Sequence, residues 1–439
     1  MSTVPVVVAQ ANTERTFPTT DTSFIWPNTL SSLDKRILII CQGNLPLYRE
    51  ALSEINPKNI SIVVCQEDDS LSQHKTFAIV HYVKEFFSSG EVERICFDLL
   101  KANSFTLIVA PSETDILRAA KLRDIFHLEG QSYESALFFR DKIRMKTLLK
   151  KNEIEVPAFT RVKSALDVLN FVDHHSYPFI VKPSRGYGSI QTHILRNPQD
   201  TILLLDTKDI FNEFHQADLD LEQFIEGDMY HVDGIVRDGK VLAIWPSKCI
   251  NNCLQMVEGK PTGGYLLSAD NPITLMLNQY TRKILEILPM PSNSGFHLEL
   301  FYNDNKVIFC EIASRIGSPW INDLWVNGMG INLKKEFIRA QAYLPSLHNF
   351  DSCSPSKLIG GMIFPPKPGK VISIPASCKL EGVIEYTPLV RVGAHLEQPN
   401  GMIGHIASFT IFANSENQMK EKVKLVQEWF EANFKIIES

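Results

Sequence analysis

The sequence predicts two unlike parts: a parallel α/β unit near the N-terminus and a longer, strand-dominated α+β unit after it. Three observations carry this. Arg36 to Cys41, Ser61 to Cys65 and Phe105 to Ala110 are short apolar runs separated by helical stretches, the pattern of parallel strands joined by crossover helices. From Ser135 onward strands dominate: Phe179 to Lys182, Leu221 to Ile225, His231 to Val236, Val241 to Trp245, Phe296 to Tyr302 and Val307 to Ile312. Finally, 439 residues exceed what one hydrophobic core usually serves.

In chain order, residues 1–33 are rich in Thr, Ser and Pro without sustained periodicity and read as a loosely ordered arm. Residues 34–134 form the expected α/β domain. The lone Gly43 after its first strand is not followed by a G-x-G-x-x-G pattern, which disfavours a nicotinamide-dependent oxidoreductase. Residues 135–345 form the second unit, which opens with a helix, Asp141 to Asn152, stopped by Val156-Pro157. A helical stretch, Leu333 to Tyr343, leads into the Pro/Ser-rich connection Pro345 to Pro355. Residues 346–439 read as a C-terminal subdomain ending in an amphipathic helix, Glu416 to Phe434.

Composition narrows the function. With 44% hydrophobic and 21% charged residues the chain reads as an ordinary globular protein. A formal charge of -6, with no Lys/Arg cluster, argues against a nucleic-acid partner. No apolar run approaches a bilayer span and no secretion signal is recognisable, so a cytoplasmic protein without membrane contact is expected. The eight cysteines fall mostly in apolar stretches and read as buried hydrophobes in a reducing compartment. Cys249 and Cys253, four apart, have no second pair or nearby His to complete a zinc site.

Three segments carry candidate chemistry. Phe179 to Ser189 is an apolar strand that delivers Lys182 into a glycine-containing loop, Gly186-Tyr187-Gly188-Ser189, suited to laying backbone N–H groups along a polyphosphate. A plain hairpin would read the same way. Lys142, opening the upstream helix, is a second cation. Leu221-Glu222-Gln223-Phe224-Ile225-Glu226-Gly227 alternates polar and apolar groups, as would a strand edge that receives adenine or an ordinary half-buried strand.

The third segment is a hairpin. His297 and Glu299 lie two apart in one strand, while Glu311, Ala313 and Arg315 share parity in the next. A turn centred on Asn305 sets Glu299 opposite Glu311, and opposed carboxylates repel by up to about 1 kcal/mol unless a cation joins them. Hard oxygen ligands suit Mg2+. Arg315 at the strand end would hold a carboxylate or acyl phosphate through paired N–H bonds, or serve as a surface ion pair.

Taken in order, Lys142, the Lys182 loop, the Glu222 strand and the Glu299/Glu311/Arg315 hairpin resemble the nucleotide site of the ATP-grasp superfamily, nearest its L-amino-acid ligase branch. The resemblance covers Ser135 to about Pro345. It implies a Rossmann-like N-terminal domain, an ATP-grasp fold with a C-terminal extension, and ATP with Mg2+ (Mn2+ as a substitute) as cofactors. It also implies small-molecule carboxylate and amine substrates joined through an acyl phosphate, and it allows a homodimer. Residue by residue, it places Lys142 and Lys182 on the phosphates and Gly186, Tyr187, Gly188 and Ser189 in the loop above them. Glu222, Gln223, Phe224 and Ile225 would stand at the adenine, and His231 near the phosphates. Glu299 and Glu311 would ligate the metal, and Arg315 would stabilise the intermediate.

Two departures stand out. Ala313 occupies the place of the asparagine ligand in the family's Glu-x-Asn-x-Arg pattern, and Met229 that of a glutamate that meets the ribose. These are the only features favouring the rival reading, a non-catalytic nucleotide-binding protein that kept the fold.

Overall fold

The computed structural model describes residues 31, 34–65, 76–208, 210–211, 217–251, 255–256, 258–350, 353–397 and 404–437. The N-terminal arm read at 1–33 lies outside the described residues apart from Ser31.

The first unit is a four-stranded parallel sheet of order β3-β2-β1-β4, built from β1 (Ile37–Cys41), β2 (Ile60–Val64), β3 (Ile79–Tyr82) and β4 (Leu107–Val109). β1 and β2 are buried along their whole length, which explains why they are Ile/Leu/Val apart from Ser61 and the terminal Cys41. Helices α1 (Leu45–Ala51), α2 (Glu91–Ala102) and α3 (Ile116–Phe126) connect and cover the strands. The short α4 (Tyr133–Phe138) then leads to α5 (Lys142–Lys151). Asp141 caps α5, its carboxylate accepting from the Ile143 and Arg144 N–H groups.

A small antiparallel sheet follows, of order β5-β8-β6-β7: β5 (Phe159–Val162), β6 (Phe179–Pro183), β7 (His193–Leu195) and β8 (Leu219–Gln223). α6 (Ala165–His174) and α7 (Pro198–Leu205) lie between its strands in sequence and seal its core.

The largest sheet runs β13-β12-β9-β10-β11-β14-β18-β16, all antiparallel. Its strands are β9 (Asp228–Arg237), β10 (Lys240–Cys249), β11 (Thr262–Leu266), β12 (Ser294–Asn303), β13 (Lys306–Ala313), β14 (Leu358–Phe364), β16 (Val383–Pro388) and β18 (Ala407–Ala413). A three-stranded flap contains β15 (Gly369–Ser373), β17 (His395–Leu396) and β19 (Lys435–Ile437). The expected break at residue 345 therefore falls within the strand sequence of one sheet, since β14, β16 and β18 extend it.

On one face the sheet packs with α8 (Pro272–Ile287) and α11 (Glu416–Asn433) around Phe296, Leu298 and Phe409. On the other lie α9 (Pro319–Met329) and α10 (Leu333–Gln341), with Trp325 and Phe337 in the core. Gly234 has no room for a side chain, because a Cβ there would stand 2.1 Å from the Ala243 carbonyl oxygen. Among the described residues no helix is long and apolar enough to cross a membrane.

Candidate active site

The small sheet and the large sheet face each other across a cavity of about 510 Å³, and every residue singled out from the sequence lines it: Lys142, Lys182, Gly186 to Ser189, Glu222 to Ile225, His231, Glu299, Glu311 and Arg315. The N-terminal sheet closes the far end with Gln42, Tyr48, Glu113 and Thr114. These last residues follow β1 and β4, where the open ends of parallel strands ordinarily bind ligands.

Lys182 is the next-to-last residue of β6 and its ammonium donates to Glu222 Oε1 at 2.6 Å. Glu222, on the neighbouring β8, also receives Lys146 through Oε2, and Lys146 reaches Asp220 Oδ2 at 2.6 Å. Both Glu222 oxygens are thus engaged by lysines, and its side chain faces this buried cluster. Burial works to raise Glu222, but Lys146 and Lys182 outweigh it and hold the carboxyl at about 2. Gln223, Phe224 and Ile225 continue along the cavity, with the Gln223 and Phe224 N–H groups bonded to the carbonyls of Ala158 and Pro178. The loop after Lys182 turns sharply. Gly188 takes φ +61°, as glycine readily does, and the Lys142 ammonium donates to the Gly186 carbonyl at 2.7 Å.

Glu299 and Glu311 are direct cross-strand partners of β12 and β13. Lys142 stands 3.1 Å from Glu311 Oε2. Burial pushes Glu311 upward, while Lys142 and Lys182 override it and keep the carboxyl at about 2. Two carboxylates on one face, one of them in a lysine's reach, match the donor chemistry of a divalent cation with hard oxygen ligands. Ala313 pairs with His297 two residues along and supplies no oxygen ligand from its side chain.

Three further groups complete the site, of which Glu113 and Arg140 were not singled out in the sequence. Glu113, from the loop after β4, accepts from Arg315 and from Arg140. Burial pushes its carboxyl upward, but the two guanidinium groups outweigh it and hold it at about 2. Arg140 also donates to the Arg185 carbonyl at 2.6 Å, tying this pair to the glycine loop. The third group lies beneath the hairpin, where Asp233 accepts from His231 Nδ1 at 2.6 Å and from His297 Nδ1 at 2.8 Å. His297 Nε2 lies 3.2 Å from Glu299 Oε1. Burial works to discharge His297, but Asp233 and Glu299 prevail and raise it to about 9. Among the described residues His231, Asp233 and His297 are the group of three close enough to hold a metal ion, but the hydrogen bonds between them already satisfy the Asp233 carboxylate.

Residues 139–319 match the model of the ATP-grasp domain. This part of the chain is an ATP-grasp domain. Over 359 residues, 80% of this chain and 86% of the relative, the sequence is 25% identical to an L-arginine-specific L-amino acid ligase of Bacillus subtilis. The fold is similar to that of an L-amino acid ligase from Bacillus licheniformis, with a TM-score of 0.69 and 18% identity, covering 93% of this chain and 99% of that one. It is also similar to an Aspergillus clavatus carboxyaminoimidazole ribonucleotide synthase solved with ATP, at a TM-score of 0.64 and 16% identity over 91% and 99% of the two chains. The matched segment opens just before α5 and ends at the start of α9, so it contains both lysines, the Glu222 strand and the whole carboxylate hairpin.

Proposed function

We propose that the protein is an ATP-dependent ligase that activates a carboxylate, in the first instance an amino acid, as an acyl phosphate and joins it to an amine, releasing ADP and phosphate. The observation that carries this reading is the convergence of two lysines, two opposed glutamates and one arginine on a single cavity of an ATP-grasp domain. The likeness to amino-acid ligases supports the same reaction class.

Lys142 and Lys182 neutralise phosphate charge, and the loop from Gly186 to Ser189 closes over it and excludes water. Gln223 to Ile225 line the adenine end. Glu299 and Glu311 would hold Mg2+, or Mn2+ in its place. That ion would supply charge neutralisation at the transferred phosphoryl group. Arg315, oriented by Glu113, faces the carboxylate to be activated. Its planar fork suits both the substrate carboxylate and the charge that develops when an amine attacks. Proximity does the rest, because an acyl phosphate held beside an amine reacts as an intramolecular pair.

The test is ADP and phosphate release across a matrix of amino acids and amines, with the amide product identified by mass. Release that depends on both a carboxylate and an amine is the expected result. ATP binding without turnover for any pair would sink the ligase reading.

A further inference from the structure

We propose that Lys334 binds a substrate carboxylate other than the one activated: the acceptor's own α-carboxylate or a side-chain acid on the donor. This rests on the ligase reading above and assigns an anion subsite within it.

Four lysine and arginine side chains line the cavity: Lys142, Lys182, Arg315 and Lys334. Three of them are held by carboxylates, Lys142 by Glu311, Lys182 by Glu222 and Arg315 by Glu113. The Lys334 ammonium makes no hydrogen bond or ion pair with any described residue, and Asp323, exposed on α9, attracts it without pairing with it. Burial pulls this lysine below its ordinary value against that attraction. A cation partly removed from water is costly without a counter-ion. An arriving carboxylate supplies one.

The position of Lys334 separates that anion from the phosphates. Residues Arg315 to Ile321 line the cavity without a break, and Asn322, next in the chain, accepts the Lys334 backbone N–H through Oδ1 at 3.1 Å. The lysine thus stands at the far end of a wall that begins at the arginine assigned to the reacting carboxylate. One residue on, Lys335 pairs with Glu50 of α1 at 2.7 Å, and Ile338 packs with Leu45 and Tyr48 in the N-terminal core. α10 is therefore fixed between α9 and α1, whereas Lys182 and Gln223 belong to the small sheet. The same three helices add Leu47, Trp320, Phe337 and Ile338 to the lining. This largely apolar surround lowers the local dielectric and strengthens a lysine–carboxylate pair.

Two comparisons, each between compounds that differ by one carboxylate, separate the two sources. Glycine and glycinamide are compared as acceptors with one fixed donor that the enzyme turns over. Glutamate and glutamine are compared as donors with glycinamide as the acceptor, and each amide is identified by mass. In one arm the wild type should favour the member with the extra carboxylate. Lys334→Met should lower kcat/KM for that member at least about tenfold more than for its counterpart, the scale of one lost charge-assisted hydrogen bond. The loss should sit in the KM for that substrate and not in the KM for ATP. Lys334→Arg, which keeps the charge, should retain part of the preference. A loss in the acceptor arm assigns the lysine to the acceptor's carboxylate, and a loss in the donor arm assigns it to the donor's side chain. Turnover of the counterpart reports that each variant is folded. Equal losses for both members of each comparison, or a raised ATP KM, would make Lys334 a structural or phosphate-binding group and overturn the assignment. A wild type with no preference in either arm would overturn it as well. A wild type that releases no ADP with any pair would instead remove the ligase reading on which the assignment stands.

Discussion

Glu299 faces Glu311 because β13 carries one extra residue. At the tip of the hairpin Leu300 pairs with Phe309, but one step on Glu299 pairs with Glu311, leaving Cys310 as a bulge. The two-residue turn itself, Asp304 and Asn305 at φ 48° and 63°, would without that bulge set Glu299 against Cys310 and turn Glu311 to the other face. The register of the proposed metal site is thus set by the bulge, with the Cys310 thiol buried beside it and pushed up by that burial.

Replacing Glu299 or Glu311 by Gln keeps volume and the strand pairing while removing one charge. Each variant should lose about a hundredfold or more in ADP release, as expected when a ligand to a catalytic metal is neutralised. Without nucleotide Glu311→Gln should be the less stable of the two variants, because it removes the carboxylate that Lys142 and Lys182 hold at about 2, with relief of the repulsion from Glu299 offsetting part of that loss. ADP release and a urea midpoint on the same preparations check this. Two folded, active variants would free the hairpin of its metal role.

Lys146 makes a different prediction. It is fully buried and bridges Asp220 and Glu222, which are themselves buried. Lys146→Met fits the space but leaves two carboxylates with only Lys182 between them. Breaking a buried ion pair on one side typically costs about 3 kcal/mol or more, and urea denaturation should show a loss of that order. A double change that also neutralises Asp220 as Asn should regain part of it, because the uncompensated charge, not the missing packing, is the main defect.

The hairpin, the Lys182 loop and the Glu222 strand were legible because each is local: alternation of residue types within a few positions reports which side chains share a face. Lys146 was not, since a helix mixing Ile143, Leu148 and Leu149 with several Lys and Arg looks solvated, and only tertiary packing decides which lysine turns inward. Glu113 was hidden for another reason. Its partner Arg315 is 202 positions away, and no local pattern reports such a pairing. The short Leu107–Val109 strand just before it was the available signal, because side chains after parallel strands gather at the ligand-binding edge. The strands after residue 345 were obscured by the Pro and Gly residues that join them, although Leu358–Phe364 and Ala407–Ala413 are apolar enough to be read as strands.

Glu113 should make acid stability depend on its two arginines. Its carboxyl is held at about 2, against an ordinary 4.5, so the stabilisation is complete above pH 4.5 and is lost as pH falls toward 2. Glu113→Gln lacks this term. The difference in urea midpoint between wild type and variant should be constant from pH 7 to about 5 and shrink steadily below the ordinary carboxylate range. A difference that grows on acidification would mean that Glu113 is not ionised in the fold.

Arg315 and Glu113 together make the last prediction. Arg315 leaves the end of β13 on the carboxylate-bearing side, and its Nε–H donates to Glu113 Oε2 while Nη1 donates to the Ile316 carbonyl at 2.9 Å. Two of its donors are spent on fixing the guanidinium, so the rest of the fork is preorganised toward the cavity. Lysine keeps the charge but cannot make both anchoring bonds and present a planar pair of donors. Arg315→Lys should therefore lower kcat for amide formation by about a hundredfold, the usual cost of losing a donor aimed at developing charge. The KM for ATP should rise much less. If Glu113 acts by orienting the arginine, Glu113→Gln should lower kcat in the same sense, and the double variant should be little worse than Arg315→Lys alone, since residues acting as one unit are not additive. Steady-state amide formation with ADP release measured in parallel decides it. Additive losses would separate the two residues, and a raised ATP KM at constant kcat would move Arg315 to nucleotide binding.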